Sequence, residues 1–187
     1  MTSLQITEEL KTTNGSWSNF KTCWFKIDID KKKENLPFIL FDYDDTLSIK
    51  YTTDILPNVK ETLLELDKKY NICIFTNQMG ISKGKTSHEK VQNILSNFQS
   101  KIDIPLQIFY STEDDQFRKP MKGMYDLMKS ILKPEKINYY CGDAAGRLND
   151  HSISDLYFAN NCNLVFKLPE EIFNNSKNII IASKKLK

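Results

Sequence analysis

An Asp-x-Asp pair, Asp42 and Asp44, stands directly behind the apolar run Phe38-Ile39-Leu40-Phe41 and within the string FDYDDTL. Two carboxylates at the mouth of a strand offer hard oxygen ligands of the kind that suits magnesium. Alone, the pair reads equally well as an acid-rich turn. Three further segments change that balance. Thr76 and Asn77, in FTNQMGI, bring a hydroxyl and an amide suited to a phosphate oxygen. Lys119, in RKP, precedes a predicted helix opened by Pro120, where an ammonium and the positive helix end would both attract an anion. Asp143, in CGDAAGR, adds a carboxylate among small residues that permit close backbone approach.

These groups are far apart in sequence, so something must gather them. Short apolar runs alternate with helix-length amphipathic segments along the chain. Strands are predicted at residues 38–41, 71–76, 106–110, 137–141 and 164–166. Helices are predicted from Pro57, over residues 87–98, from Pro120 and over residues 152–160. Strand–helix alternation is the mark of an α/β fold, a three-layer doubly wound parallel sheet. Ligands in such sheets sit beyond the carboxyl ends of the strands. Asp42, Thr76 and Asp143 each fall at or just after such an end and should converge. Residues 17–29 alternate loosely and predict an N-terminal edge strand or hairpin. Residues 1–16 read as a flexible leader to one domain over 17–187, and Ile179-Ile180-Ile181 as an ambiguous edge strand.

Composition removes several classes of function. The chain has 187 residues, 40% hydrophobic and 27% charged, with 26 basic against 24 acidic side chains. That is a globular domain, not a strongly basic nucleic-acid coat protein, although a local basic patch remains open. No apolar run approaches a membrane span, and the polar N-terminus has no signal-peptide core; a soluble, intracellular protein is expected. Cys23, Cys73, Cys141 and Cys162 are scattered without a C-x-x-C spacing, which gives little support to zinc or disulfides.

Taken in order, the four segments resemble the haloacid dehalogenase superfamily of aspartyl-phosphate phosphatases. FTNQMGI with a following Gly-Lys, RKP with a following Gly-Met, GDAAGR and DHSISDLYFANNCNLVFKLPEEIF look like the 3′-phosphatase domain of polynucleotide kinase/phosphatase. The resemblance runs from about Trp17 to Phe173. It implies a capless Rossmann-like fold and a Mg²⁺-dependent phosphoric monoester hydrolase acting on polynucleotide 3′ ends, DNA first, in repair or end processing. It implies Asp42 as nucleophile and Asp44 as acid and then base, with Thr76 and Lys119 on the phosphoryl oxygens. Magnesium would be held by Asp42, the Asp44 backbone carbonyl and Asp143, with Asp155 either in an outer shell or in a Ser152-to-Asp155 capping box. Asn77, Arg118 and Lys85 are further substrate-binding candidates; Lys83 and Lys122 could flank a nucleic-acid backbone by charge. A monomer is expected.

Departures from the pattern set the alternatives. Histidinol-phosphate and heptose-bisphosphate phosphatases share TNQ-x-G and RKP but commonly carry a Cys/His zinc loop before RKP. Here that loop, STEDDQF, has neither residue. GISKGKT nearly spells a phosphate-binding P-loop, but it is one residue short between glycines, so no kinase activity is expected. Asp45 replaces the usual glycine of the first motif. Aspartate tolerates a positive φ at some cost, and its charge would raise neighbouring carboxyl pKa values. This leaves an inactive nucleic-acid-end binder as a third reading. Arg147 could bind substrate phosphate or pair with a nearby acid; His88 and His151 are poorly placed as ligands.

Overall fold

The computed structural model describes residues 14–173. Seven strands alternate with helices: β1 (Trp17–Phe20), β2 (Cys23–Lys26), β3 (Phe38–Phe41), β4 (Asn71–Asn77), β5 (Leu106–Ser111), β6 (Ile137–Cys141) and β7 (Val165–Lys167). The helices are α1 (Val59–Asp67), α2 (His88–Ile102), α3 (Gly123–Leu132), α4 (Ser154–Asn161) and α5 (Pro169–Phe173). One sheet holds all seven strands in the order β1-β2-β5-β4-β3-β6-β7. From β5 to β7 every neighbouring pair is parallel. β1 and β2 form the expected hairpin, added antiparallel along β5.

β3 and β5 are buried along their whole length, as strands covered on both faces must be. Successive side chains part to opposite faces. Phe38, Leu40, Cys73, Phe75 and Phe109 pack with α3 and α4 through Met124, Met128 and Phe158. Ile39, Phe41, Ile72, Ile74 and Ile108 pack with α1 and α2 through Leu63, Leu95 and Phe98. The result is the predicted three-layer arrangement, with two apolar layers holding the strand ends in register. The connections where a lid would be inserted, residues 42–58 and 78–87, hold only turns and isolated bridges.

Helix starts differ from the expectation in ways that matter for the site. α1 begins at Val59, not Pro57, because Asn58 stands before it at φ 64°. α2 starts where predicted, with the Ser87 hydroxyl accepting from the Lys90 N–H, but runs on to Ile102. α3 begins at Gly123, not Pro120, because the chain first turns through Met121 N–H to Arg118 C=O and Gly123 N–H to Gln116 C=O. Lys119 is therefore not at a helix N-terminus.

The chain is tied down earlier than residue 17. The Asn14 amide accepts from the Ile29 N–H at 2.6 Å, and the Gly15 N–H donates to the Ile27 carbonyl at 2.7 Å. Residues 1–13 of the expected leader and the Ile179–181 strand lie outside the described residues. All four cysteines are free and buried. No helix among the described residues is long and apolar enough to cross a membrane.

Candidate active site

The site lies at the carboxyl ends of the central parallel strands. Asp42 follows β3 directly, and its N–H donates to the Cys141 carbonyl of β6 at 2.8 Å, which fixes the acid between two strands. Its Oδ1 lies 2.5 Å from the Lys119 Nζ. The same ammonium reaches Asp155 Oδ1 and the Tyr140 hydroxyl, each at 2.7 Å. Tyr140 in turn donates to Asp155 Oδ1 at 2.7 Å. Lys119 is only 3% exposed, so the ordinary surface lysine is excluded. Burial alone would lower its pKa, but Asp155 and Asp42 outweigh burial and hold it above the usual lysine value.

Asp155 does not cap α4. Ser152 accepts from Ser154 N–H instead, while Asp155 Oδ2 takes the Ala144 N–H at 3.0 Å. Its carboxylate is admitted by Gly142, where a Cβ would stand 2.5 Å from the carboxyl carbon. Gly142→Ala is expected to lower stability by about 1–3 kcal/mol by forcing that carboxylate away. A urea midpoint equal to wild type would show that the pocket has slack.

Carboxylate oxygens of Asp42, Asp143 and Asp155 lie within 4.8 Å of one another. At an effective dielectric of about 20, each such pair repels by about 3 kcal/mol or more. One ammonium pairs with two of the three, Asp42 and Asp155. Burial, then repulsion from Asp155 and Asp143 against the pull of Lys119, leaves the Asp42 carboxyl well above its ordinary range. Burial and Asp155 push Asp143 up to about 6. These groups therefore fit a divalent cation, which would relieve the repulsion directly. Asp155 already has both oxygens hydrogen-bonded, so Asp42 and Asp143 are the freer ligands.

A raised carboxyl binds protons more tightly in the folded state, so its contribution to stability falls as pH rises through about 6. A cation needs the ionised form. The rise in melting temperature on adding magnesium is expected to be small at pH 5 and to grow through pH 6 to 7.5. A magnesium-induced shift equal at both ends of that range would exclude this cluster as the site.

Asp44 stands apart from the three. Its Oδ1 accepts from the Tyr51 N–H at 2.9 Å and its Oδ2 from the Gln78 amide at 3.0 Å. Burial raises its pKa, with those two hydrogen bonds opposing. Asp45 adopts φ 59°, the conformation a glycine would take, and turns its carboxylate to the Lys50 N–H at 3.1 Å. Its charge is a minor contribution to the raised values at Asp44 and Asp143. The replacement is accommodated.

Thr76 ends its buried run at the same rim, its hydroxyl accepting from the Gln78 amide at 2.9 Å. Asn77 is tied to the Lys119 segment. Its Nδ2 donates to the Lys119 carbonyl at 3.0 Å and its Oδ1 accepts the Lys119 N–H at 2.9 Å and the Ser111 hydroxyl at 3.1 Å. Both ends of the amide hold the Lys119 backbone, so Asn77 positions the lysine at the wall of the cavity it lines. Arg147 is a strut: it pairs with Asp150 and Glu170 and donates to the Asp143 carbonyl. His88 packs on Trp24 and Tyr110, while His151 Nδ1 comes to 3.8 Å from Asp143.

Asp42, Asp44, Thr76, Lys119, Asp143 and Asp155 share a cavity of about 610 Å³ with an acidic floor and a basic rim of Lys50, Lys83, Lys85, Lys90 and Arg118. Arg118 leans on Asp114 at 3.7 Å; the four lysines make no ion pair among the described residues. Gln78 and Tyr140 went unassigned in the sequence. Gln78 was visible only as a letter of the TNQ string, and Tyr140 looked like any strand aromatic.

Residues 37–173, which carry every acidic group of this floor, match the family model for polynucleotide kinase 3 phosphatase. The chain belongs to that family. Among family relatives, it is 31% identical over 185 residues to polynucleotide 3′-phosphatase ZDP of Arabidopsis thaliana, covering 84% of this chain and 27% of that one. It is 35% identical over 160 residues to the bifunctional polynucleotide phosphatase/kinase of Schizosaccharomyces pombe, covering 76% and 39%. With the polynucleotide 3′-phosphatase of Saccharomyces cerevisiae the identity is 30%, over 87% of this chain and 81% of that one. The chain thus spans well under half the length of the first two relatives. The haloacid dehalogenase fold is matched by an HAD-like phosphatase of Mesorhizobium loti, TM-score 0.60 and 14% identity over 79% of this chain and 78% of that one. The D,D-heptose 1,7-bisphosphate phosphatase of B. bronchiseptica, solved with magnesium and phosphate, gives TM-score 0.58 and 16% identity over 71% and 79%.

Proposed function

We propose that this chain is a magnesium-dependent polynucleotide 3′-phosphatase that hydrolyses 3′-phosphate monoesters at DNA ends. The observation that carries the reading is the acid pair behind β3 split between two environments. Asp42 is pinned on a buried ammonium among other acids, whereas Asp44 is held by an amide and a backbone N–H. Such a split suits two carboxyls to two roles.

In the reaction, Asp42 attacks phosphorus and the bond to the 3′-oxygen breaks, leaving an aspartyl-phosphate. Asp44, its pKa raised by burial, is the proton source for that oxygen. It then takes a proton from the water that cleaves the acyl-phosphate, which restores Asp42 and releases phosphate. Lys119 and the Thr76 hydroxyl would hold the charged equatorial oxygens. Magnesium, held by Asp42 and Asp143 with Asp155 behind them and the Asp44 carbonyl as a further ligand, would supply charge neutralisation. Lys85, Lys83 and Arg118 serve the backbone of the polymer from the rim. With only turns between the strands and helices at the mouth, the cavity stays open to a chain end.

The test is an end-labelled oligonucleotide bearing a 3′- or a 5′-phosphate, with and without magnesium, beside heptose bisphosphate and histidinol phosphate. Magnesium-dependent release from the 3′ end alone is expected. Faster turnover of the sugar phosphates would make it a small-molecule enzyme. Release from no monoester would leave an inactive end-binding protein.

A further inference from the structure

Among the described residues, Tyr51 is an exposed aromatic side chain at the mouth of the cavity. It is 67% exposed and lines the cavity beside Lys50, whose Nζ lies 5.3 Å from the ring centroid. Its backbone sits at φ 63°, a conformation that bulky residues rarely adopt and that glycine or asparagine would take more easily. The turn that presents it is firmly anchored. Ile49 N–H donates to Asp54 C=O at 2.9 Å, and the Tyr43 and Ser48 hydroxyls both donate to Thr52 C=O, at 2.8 and 3.0 Å. A fixed turn therefore carries a ring that does nothing for the core.

The backbone of Tyr51 is tied directly to Asp44, and its side chain lines the same cavity. Tyr51 N–H is the donor to Asp44 Oδ1 at 2.9 Å, and Asp44 is the group that must touch the leaving 3′-oxygen. The nucleoside that owns this oxygen must lie alongside residue 51. We infer that Tyr51 is a stacking platform for the 3′-terminal nucleobase, and so a specificity determinant for nucleic-acid ends over small phosphate esters. This rests on the 3′-phosphatase reading. Lysines at the same rim, Lys50, Lys83 and Lys85, complement the adjoining phosphodiesters, whereas an exposed ring beside cations answers the face of a base.

The experiment compares two 3′-phosphorylated oligonucleotides, one ending in adenine and the other in an abasic residue. Tyr51→Asn, which tolerates the left-handed backbone, should lower the adenine-to-abasic ratio of kcat/KM about tenfold, mainly through KM, as stacking energies require. Tyr51→Phe should keep the wild-type ratio. Tyr51→Gly, free to hold the same φ, should repeat the asparagine result, which separates loss of the ring from disturbance of the turn. An unchanged ratio in the asparagine and glycine variants overturns the platform. A second readout is quenching of a 3′-terminal 2-aminopurine on binding to Asp42→Asn protein, lost when Tyr51→Asn is added. That quench judges the platform even if no phosphate is released, in which case it is the phosphatase reading that fails.

Discussion

Asp42→Asn is expected to lower phosphate release by about 10⁴-fold or more while leaving the protein folded. An amide cannot form the acyl-phosphate, and loss of a covalent nucleophile has effects of that order. The fold should tolerate the change because Lys119 keeps two other partners, Asp155 and Tyr140. The asparagine oxygen can still accept from the ammonium. One of three mutually repelling carboxylates is also removed, so the metal-free variant should unfold at the same urea concentration as wild type or a higher one. Added magnesium should then stabilise it less than wild type. Turnover within tenfold of wild type would end the nucleophile assignment.

Lys119→Met is expected to be the most damaging single change to stability, costing about 3–5 kcal/mol at neutral pH. It leaves Asp42 and Asp155 buried without their counter-ion. The pH dependence has a definite sign. In wild type the lysine pKa is raised, so its contribution is complete at neutral pH and is lost only as pH climbs past the usual lysine range. In the variant, Asp42 can relieve its burial by taking up a proton, so the stability gap to wild type should narrow from pH 8 to pH 5. Urea titrations at both pH values measure this. A gap that is constant, or widens toward acid, would mean that the loss is one of packing volume. Tyr140→Phe removes a single hydroxyl from the same network and should cost about 1 kcal/mol.

Asp42 and Asp143 are legible because each sits just past a strand, and strands buried on both faces announce themselves as unbroken apolar runs. FILF and NICIFT marked where Asp42 and Thr76 would emerge, and the sheet did the rest. Lys119 was read as important for an incomplete reason. Pro120 suggested a helix start, whereas the lysine is set by a turn and by the Asn77 amide, a contact across 42 positions that no local pattern records. The hold of Asn77 on that backbone is hidden for the same cause. An amide at a strand end can face a ligand or a neighbouring backbone, and only the approach of the Lys119 segment decides which. Asp155 shows the limit of local motifs: Ser152 and Asp155 have the spacing of a cap, but Gly142 opens room for the carboxylate to turn inward. Tyr140 could be read only as apolar, since its hydroxyl acquires meaning from two side chains distant in sequence.

The strand order has a further consequence for how the chain matures. β3 lies between β4 and β6, so one flank is satisfied by the next strand in sequence, while the other waits for residues 137–141. During synthesis an apolar ribbon must therefore persist with one side open until most of the described chain has emerged, a window in which edge-to-edge association competes with completion. Because Asp143 arrives just behind that late strand, Asp42 and Asp143 would first meet as the vulnerable edge closes.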